Sequence, residues 1–209
     1  MSPAPSRRAK ETARRRSDVL EAAVEVFAVK GFHDTAMTEI AAQAEFSLAT
    51  IYKLFPGGKE EIYQATQERV VASFERELAA LPADPADPLA TLREYLAASG
   101  RVYAAHPREM TLHLREAAGL GFDLARGLPP ELAARYRASA DRAVSALAAA
   151  LEQGLLRPLP LSAAVVLWRA VINALLLEWL EAGRPEPLAQ RLALVETAFF
   201  RGLLGLAGC

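Results

Sequence analysis

Two short helical patterns lie close together near the N-terminus, directly after a longer one, and this arrangement constrains the fold more than any other feature. In the longer pattern, residues 17–30, the apolar residues recur at the spacing of one helical face and end before Gly31. The second pattern has Thr35 as its predicted N-cap, and the third begins after Ser47 and stops at Pro56. Helices this short are not stable alone. They must pack on the first helix, which predicts a three-helix unit ending in a helix-turn-helix.

The third helix has the side chains that DNA recognition requires. In a helix-turn-helix the second helix of the motif enters the major groove, so its solvent side is small, polar and basic. Ile51, Leu54 and Phe55 form the inward stripe, and the residues left over offer hydroxyls, apolar contacts for thymine methyl groups, and a cation. Those residues are Ser47, Leu48, Ala49, Thr50, Tyr52 and Lys53. Lys59, at the start of the fourth helix, is expected to place a further cation on the phosphate backbone.

Positive charge is concentrated before the first helix, although the net charge of the chain is −1. Residues 1–16 contain six basic residues and one acidic residue, a local net charge of +5. Taken alone, such a segment is commonly a solvated tail. We interpret residues 1–16 as a basic flexible arm that precedes a DNA-binding domain at 17–58.

The larger part of the chain, residues 59–209, shows no strand pattern, and prolines and glycines separate a series of helical stretches. About nine helices are therefore expected in the whole chain. Those predicted in this part are 59–81, 88–105, 107–126, 130–153, 161–182 and 187–206. Together with the abundance of alanine and leucine, the pattern indicates an all-α protein with a second, C-terminal helical domain.

The last two helical stretches point to a partner subunit. The stretch 161–182 is apolar around almost its whole circumference, and 187–206 is similarly rich in apolar residues. A helix of this kind must be covered on several sides. Two such helices and their symmetry copies would form a four-helix interface, which predicts a homodimer; a core helix in a monomer is the alternative. Polar residues interrupt the apolar run at Arg169, Asn173 and Glu178, so no membrane span is expected.

In these features the chain resembles the tetracycline-repressor (TetR) family of transcriptional regulators. The resemblance covers residues 16–62, and the matching stretches are VLEAAVEVFAVKGFHDTAMTEIAAQA, which starts at residue 19, and FSLATIYKLFPGGKEEIY, which starts at residue 46 and ends at residue 63. Beyond them the resemblance is to the architecture only. It implies a regulator, most simply a homodimeric repressor of a near-palindromic operator, with DNA contacts at Thr38, Ser47, Leu48, Ala49, Thr50, Tyr52, Lys53 and Lys59.

Two positions depart from the family pattern. The turn between the short helices usually carries glycine, and here it carries Glu45, which would have to adopt a left-handed conformation at a cost of about 1–2 kcal/mol. The position after Ser47 is Leu48 instead of a basic residue or proline. This change weakens phosphate binding there and favours apolar contact with the bases.

The resemblance also implies that a small molecule bound among the C-terminal helices releases the DNA. Candidate lining residues are those whose bulk or polarity interrupts the apolar stripes, although the same spacing also occurs in plain core: Tyr103, Met110, His113, Leu114, Phe122, Trp168 and Asn173. Since most of these are apolar, we expect a largely hydrophobic effector, such as a fatty acyl compound, an acyl coenzyme A ester or an aromatic compound.

Other classes of function find less support in the sequence. No metalloprotease motif, phosphate-binding glycine loop or nucleophile elbow occurs, so we expect neither an enzyme nor a cofactor. Glu109, His113 and Glu116 share a helical face and leave a metal-binding protein as one alternative; a helical adaptor is another. No apolar segment follows the N-terminal charges, and Cys209 is the single cysteine, which together favour a cytoplasmic protein.

Overall fold

The computed structural model describes residues 6–81, 87–116 and 123–203, and in these ranges it contains nine α-helices and no strand. The prediction of an all-α protein is confirmed. The helices are α1 (Arg7–Lys30), α2 (Met37–Gln43), α3 (Leu48–Leu54), α4 (Gly58–Ala79), α5 (Pro88–Ala105), α6 (Pro107–Glu116), α7 (Pro130–Glu152), α8 (Leu161–Glu181) and α9 (Leu188–Glu196).

The chain forms two compact units, residues 1–69 and 70–209, and the division falls within α4. The sequence placed the boundary earlier, between residues 58 and 59. The later boundary has a physical reason, because the first turns of α4 belong to the core of the first unit. Ile62 is fully buried there, and the Tyr63 ring lies 4.7 Å from the Phe32 ring and 5.9 Å from the Phe27 ring, centre to centre.

The core of the first unit holds the two short helices in place. Phe27 of α1, Ile40 of α2, Ile51 of α3 and Phe55 after α3 are all completely buried. These are the apolar positions that the helical spacing in the sequence identified. Burying each of these side chains contributes about 1.5–3 kcal/mol to the stability of the unit. Helices α2 and α3 have only seven residues each and are not stable by themselves, so they depend on this burial.

The prediction of a flexible arm is wrong for residues 7–16, because they form the first turns of α1. The Ser6 side chain caps this helix by accepting a hydrogen bond from the Ala9 amide at 3.2 Å. Arg15 pairs with Glu11 one turn earlier at 3.0 Å. No glycine or proline interrupts the sequence between Ser6 and Lys30, so nothing local ends the helix before Gly31.

One predicted cap is confirmed and another is wrong. Gly31 follows α1 with a φ of 80°, and its amide donates to the Phe27 carbonyl as expected of a C-cap. Thr35, however, does not cap α2; it is buried, and its hydroxyl donates to the Gly31 carbonyl at 2.8 Å. The start of α2 is held instead by Glu39, whose carboxylate accepts from the Ala36 amide at 3.0 Å.

The second unit packs α5 to α9 and the last turns of α4 around one apolar core. Its fully or almost fully buried side chains include Phe74, Leu92, Leu147, Trp168 and Phe199. The predicted bounds of α5, α7 and α8 agree with the structure to within one residue.

Two predicted helices of the second unit differ from the structure. Helix α6 reaches Glu116, and residues 117–122 lie outside the described residues. Residues 124–126, which the sequence placed in a helix over 107–126, form a turn together with residue 127. The helix expected at 187–206 is α-helical to Glu196 and continues as a π-helix over Thr197–Leu203. In that segment Phe199 and Phe200 both turn toward Trp168, with ring centres 4.5 and 6.0 Å away.

Candidate nucleic-acid interface and interior cavity

Helix α3 presents the predicted recognition surface. Its N-terminus is capped by Ser47, whose hydroxyl accepts from the Thr50 amide at 3.2 Å and lies 2.8 Å from the Thr50 hydroxyl. Ile51 and Phe55 anchor the inner side, while Leu48 and Tyr52 remain 37% and 46% exposed. The predicted contact residues that are exposed are Thr38, Ser47, Leu48, Ala49, Tyr52 and Lys53, and Thr50 is half-buried.

The turn before α3 has the left-handed geometry that the sequence led us to expect at Glu45. Its φ is 56°, a conformation that glycine adopts without strain. The Glu45 amide donates to the Ala42 carbonyl at 3.2 Å, and the Phe46 amide donates to the Ala41 carbonyl at 3.1 Å. These two bonds form a Schellman motif that ends α2. The turn therefore keeps its usual hydrogen bonds with a strained residue in the glycine position.

Lys59 has a different role from the phosphate contact that the sequence suggested. Its ammonium donates to the carbonyls of Phe32, His33 and Thr35, at 2.8, 3.0 and 2.9 Å. It also lies 4.7 Å from the centre of the Phe32 ring. An ammonium group has three donors, and these bonds use all of them to tie the loop between α1 and α2 to the start of α4. We therefore leave Lys59 out of the proposed DNA contacts.

Arg16 is a structural residue that sequence reasoning missed, because it was counted with the basic arm. Its guanidinium donates to the Leu54 carbonyl, lies 4.0 Å from the centre of the Phe55 ring and is 3.4 Å from a Glu61 carboxylate oxygen. The helical spacing of α1 could have identified Arg16 as an inward-facing residue. Arg16 lies four residues before Leu20, on the inward face of α1.

Two of the candidate ligand-binding residues meet at a small, largely enclosed cavity in the second unit. The Tyr103 hydroxyl donates to Asn173 Oδ1 at 2.7 Å, and both residues are buried. The cavity is lined by Phe74, Tyr95, Ser99, Tyr103, Leu124, Tyr136, Arg169, Ile172 and Asn173. Ser99 is 2% exposed, and its hydroxyl makes no hydrogen bond of ordinary geometry, although it lies beside Tyr95. The lining is therefore more polar than the sequence suggested.

Burial raises the pKa of the cavity's tyrosines, so their hydroxyls remain protonated at neutral pH. Burial disfavours the charged phenolate, so the pKa values of Tyr103 and Tyr136 lie well above the ordinary value and that of Tyr95 is also raised. Arg169 lies among these groups and is 3.6 Å from a carboxylate oxygen of Asp123. The cavity thus combines neutral hydroxyl groups with one side of the Arg169–Asp123 ion pair.

The other candidate ligand residues do not line this cavity. Met110 and Leu114 are buried core residues, and Trp168 belongs to the aromatic cluster with Phe199 and Phe200. Phe122 lies outside the described residues. His113 is buried, and its Nε2 bonds the Leu124 carbonyl at 2.9 Å.

The residues that suggested a metal site do not form one. His113 directs its Nε2 at a carbonyl, while Glu109 lies 3.5 Å from Nδ1 of His106. Within the described ranges no group of three histidine, cysteine or acidic residues is arranged to hold a metal ion.

Comparison with known proteins bears on both units. Residues 19–66 match the family model described as bacterial regulatory proteins, tetR family. Over 147 residues, 70% of this chain, the sequence is 33% identical to the HTH-type transcriptional repressor NicS of Pseudomonas putida. The match spans 66% of that repressor, just under two thirds of its length.

Solved structures extend the similarity to nearly the whole chain. A TetR-like transcriptional regulator from Rhodococcus sp. RHA1 is 26% identical, with a TM-score of 0.67 over 96% of this chain and 98% of that one. PfmR, a TetR family transcriptional regulator from Thermus thermophilus, is 24% identical, with a TM-score of 0.64 over 88% and 98% of the two chains. At that lower identity the likeness concerns the fold alone.

Proposed function

The chain belongs to the TetR family of bacterial regulatory proteins, and we propose that it is a transcriptional repressor that binds a near-palindromic operator as a homodimer. The observation that carries this proposal is the surface of α3. Buried Ile51 and Phe55 orient the helix, and its exposed side offers hydroxyls, small apolar groups and the Lys53 cation. This combination suits a helix that lies in the major groove.

A gel-shift assay with fragments from the promoter region of its own gene tests this proposal. The wild-type protein is expected to shift at least one fragment at low salt. Tyr52→Phe and Lys53→Ala should weaken that binding without unfolding the protein, because they remove contacts with phosphate oxygens. Arg137→Ala, an exposed change in the second unit, is the control. Wild-type affinity in both α3 variants would contradict the assignment of α3 as the recognition helix.

The composition of α8 supports the homodimer. Helix α8 is long and apolar enough to cross a membrane, the one such helix in the described part of the chain. Core and interface helices of soluble proteins share this composition, and only 28% of its most apolar window is buried within the chain. On its outer side Val166 is 61% exposed, and on α9 Leu194 is 49% exposed. A second copy of the chain would cover these apolar side chains.

We further propose that a small molecule bound in the cavity of the second unit controls operator release. The cavity has a volume of about 10 Å³, the space of roughly one water molecule, so a ligand would enter only if the surrounding helices move apart. We keep as the proposed effector a largely hydrophobic small molecule, such as a fatty acyl compound, an acyl coenzyme A ester or an aromatic compound. Such a compound can release DNA only if it binds more tightly to the conformation that does not bind DNA. Native mass spectrometry of the purified protein would show whether such a compound is bound.

A further inference from the structure

The first turns of α1 form a helical extension that packs against nothing in its own unit. All side chains from Ser6 to Arg15 are exposed, whereas residues 19 and 20 are already buried. Five of the residues 7–15 are basic and one is acidic. The family model matches from residue 19, so this extension precedes the domain that the family shares.

The extension begins beside the recognition helix. Arg16 shares the inward face of α1 with Leu20 and Phe27 and donates to the carbonyl of Leu54, the last residue of α3. From Arg16, the helix continues outward to Arg7 over about 14 Å, at 1.5 Å per residue. The extension therefore starts next to the C-terminal end of α3, the helix that is proposed to read the bases.

Three cations of the extension are available to a partner. Arg7, Lys10 and Arg14 follow the spacing of one helical face, opposite the face that contains Arg16. Among the described residues none of the three takes part in an ion pair or a side-chain hydrogen bond, whereas Arg15 is paired with Glu11. After Arg14 the same face becomes acidic, with Asp18, Glu21 and Glu25. An anionic partner is thus attracted to the extension and repelled by the rest of that face.

We propose that Arg7, Lys10 and Arg14 bind phosphates of the DNA backbone next to the base pairs contacted by α3. This inference rests on the proposed function and adds a second contact surface to it. The contact depends on charge and not on base sequence, so it strengthens binding to any duplex that α3 already engages. The position of the extension beside α3 favours DNA over another polyanion.

The triple variant R7Q/K10Q/R14Q tests the proposal, because glutamine has nearly the helix propensity of arginine and lysine and so preserves α1. The matched control is R137Q/R157Q/R184Q, which removes the same charge from exposed positions of the second unit. Circular dichroism and thermal unfolding establish that both variants fold like the wild type. Operator affinity is then measured by fluorescence anisotropy at a series of salt concentrations, on a labelled fragment that the wild-type protein shifts.

The expected result is an affinity at least about tenfold lower for R7Q/K10Q/R14Q at low salt, with a shallower salt dependence. If all three contacts form, the slope of log K against log salt falls by about 3 for each protomer, since each phosphate contact contributes about 0.9. The control variant should keep the wild-type affinity and slope. Ethylation of flanking phosphates should weaken binding of the wild type more than that of the triple variant, which keeps only the phosphate contacts proposed for Tyr52 and Lys53 of α3.

The experiments distinguish failure of this proposal from failure of the proposed function. A triple variant with wild-type affinity and slope would overturn the phosphate-binding extension and leave operator binding by α3 in place. Equal losses in the triple variant and in the control would also overturn it, since the effect would then come from net charge. Failure of the wild-type protein to bind any promoter fragment at low salt would overturn both proposals.

Discussion

Arg16 of α1 caps the C-terminal end of α3, the proposed recognition helix, by donating to the carbonyl of Leu54. The last carbonyls of a helix have no partner within it and carry partial negative charge, so a guanidinium is well suited to this position. Its plane also lies over the Phe55 ring, which anchors α3 in the core. One side chain therefore fixes both the end and the orientation of the helix that we propose presents the DNA contacts.

Arg16→Ala should lower operator affinity by loosening α3, and it should lower the free energy of unfolding by about 1–3 kcal/mol. The slope of affinity against salt should not change, because Arg16 bonds a carbonyl and not a phosphate. Arg16→Lys keeps the charge and should recover part of both losses. A reduced slope in Arg16→Ala with unchanged stability would mean that Arg16 contacts DNA directly.

Lys59→Met should destabilise the first unit while retaining the apolar stem of the side chain. The carbonyls of Phe32, His33 and Thr35 would lose their donor, and a charged hydrogen-bond group of this kind contributes about 2 kcal/mol or more. Urea denaturation measures this loss. The control is Lys53→Met on the exposed side of α3, which should leave stability within about 0.5 kcal/mol of wild type but weaken operator binding. If Lys59→Met weakened operator binding and left stability unchanged, Lys59 would be a DNA contact, as the sequence suggested.

Glu45→Gly should stabilise the protein. The left-handed conformation costs about 1–2 kcal/mol for a residue with a Cβ, and part of that gain is offset by the greater freedom of glycine in the unfolded chain. A net increase of about 0.5–1 kcal/mol in the free energy of unfolding is expected by urea denaturation. Ala42→Gly, in the helical part of α2, should instead destabilise by about 1 kcal/mol. Destabilisation by both changes would show that Glu45 makes a compensating interaction.

The sequence predicted those parts of the molecule that depend on local spacing. The inward stripe of α3 and the Ser47 cap each follow from residues within one helical turn of each other. The left-handed turn at Glu45 was expected from the resemblance to the TetR family, in which this position usually carries glycine. Helix bounds were also predictable where a proline marks the start, as at Pro88 and Pro130.

The features that the sequence did not predict depend on contacts between distant residues. Lys59 bonds carbonyls 24 to 27 positions away, and Arg16 bonds one 38 positions away. The same is true of the cavity, where hydroxyls from α5 and α7 meet Asn173 of α8. Apolar helices were correctly expected to form a core, but spacing along one helix does not tell which polar side chains meet inside it.

His113 should make the protein less stable below neutral pH. Burial lowers its pKa below the ordinary value near 6.5, since the charged imidazole would lose its hydration. Below that value the unfolded chain binds a proton at this histidine more readily than the folded protein does. The free energy of unfolding therefore decreases as the pH is lowered, by up to about 1.4 kcal/mol per pH unit. His113→Gln, which can still donate to the Leu124 carbonyl, should reduce this slope in the pH range just below the ordinary histidine pKa. His33→Gln is the exposed control. Equal slopes in wild type and His113→Gln would contradict the prediction.

Val166→Glu combined with Leu194→Glu should convert the proposed homodimer into monomers. Both side chains are exposed and apolar on α8 and α9, and two glutamates at a two-fold interface would be buried without partners and face their own copies. Sedimentation equilibrium measures the mass, and operator affinity should fall together with it because a monomer has one recognition helix. Val29→Glu is the matched control, since Val29 is 84% exposed but lies in the first unit. A double variant that sediments as a dimer would place the interface on another surface of the chain.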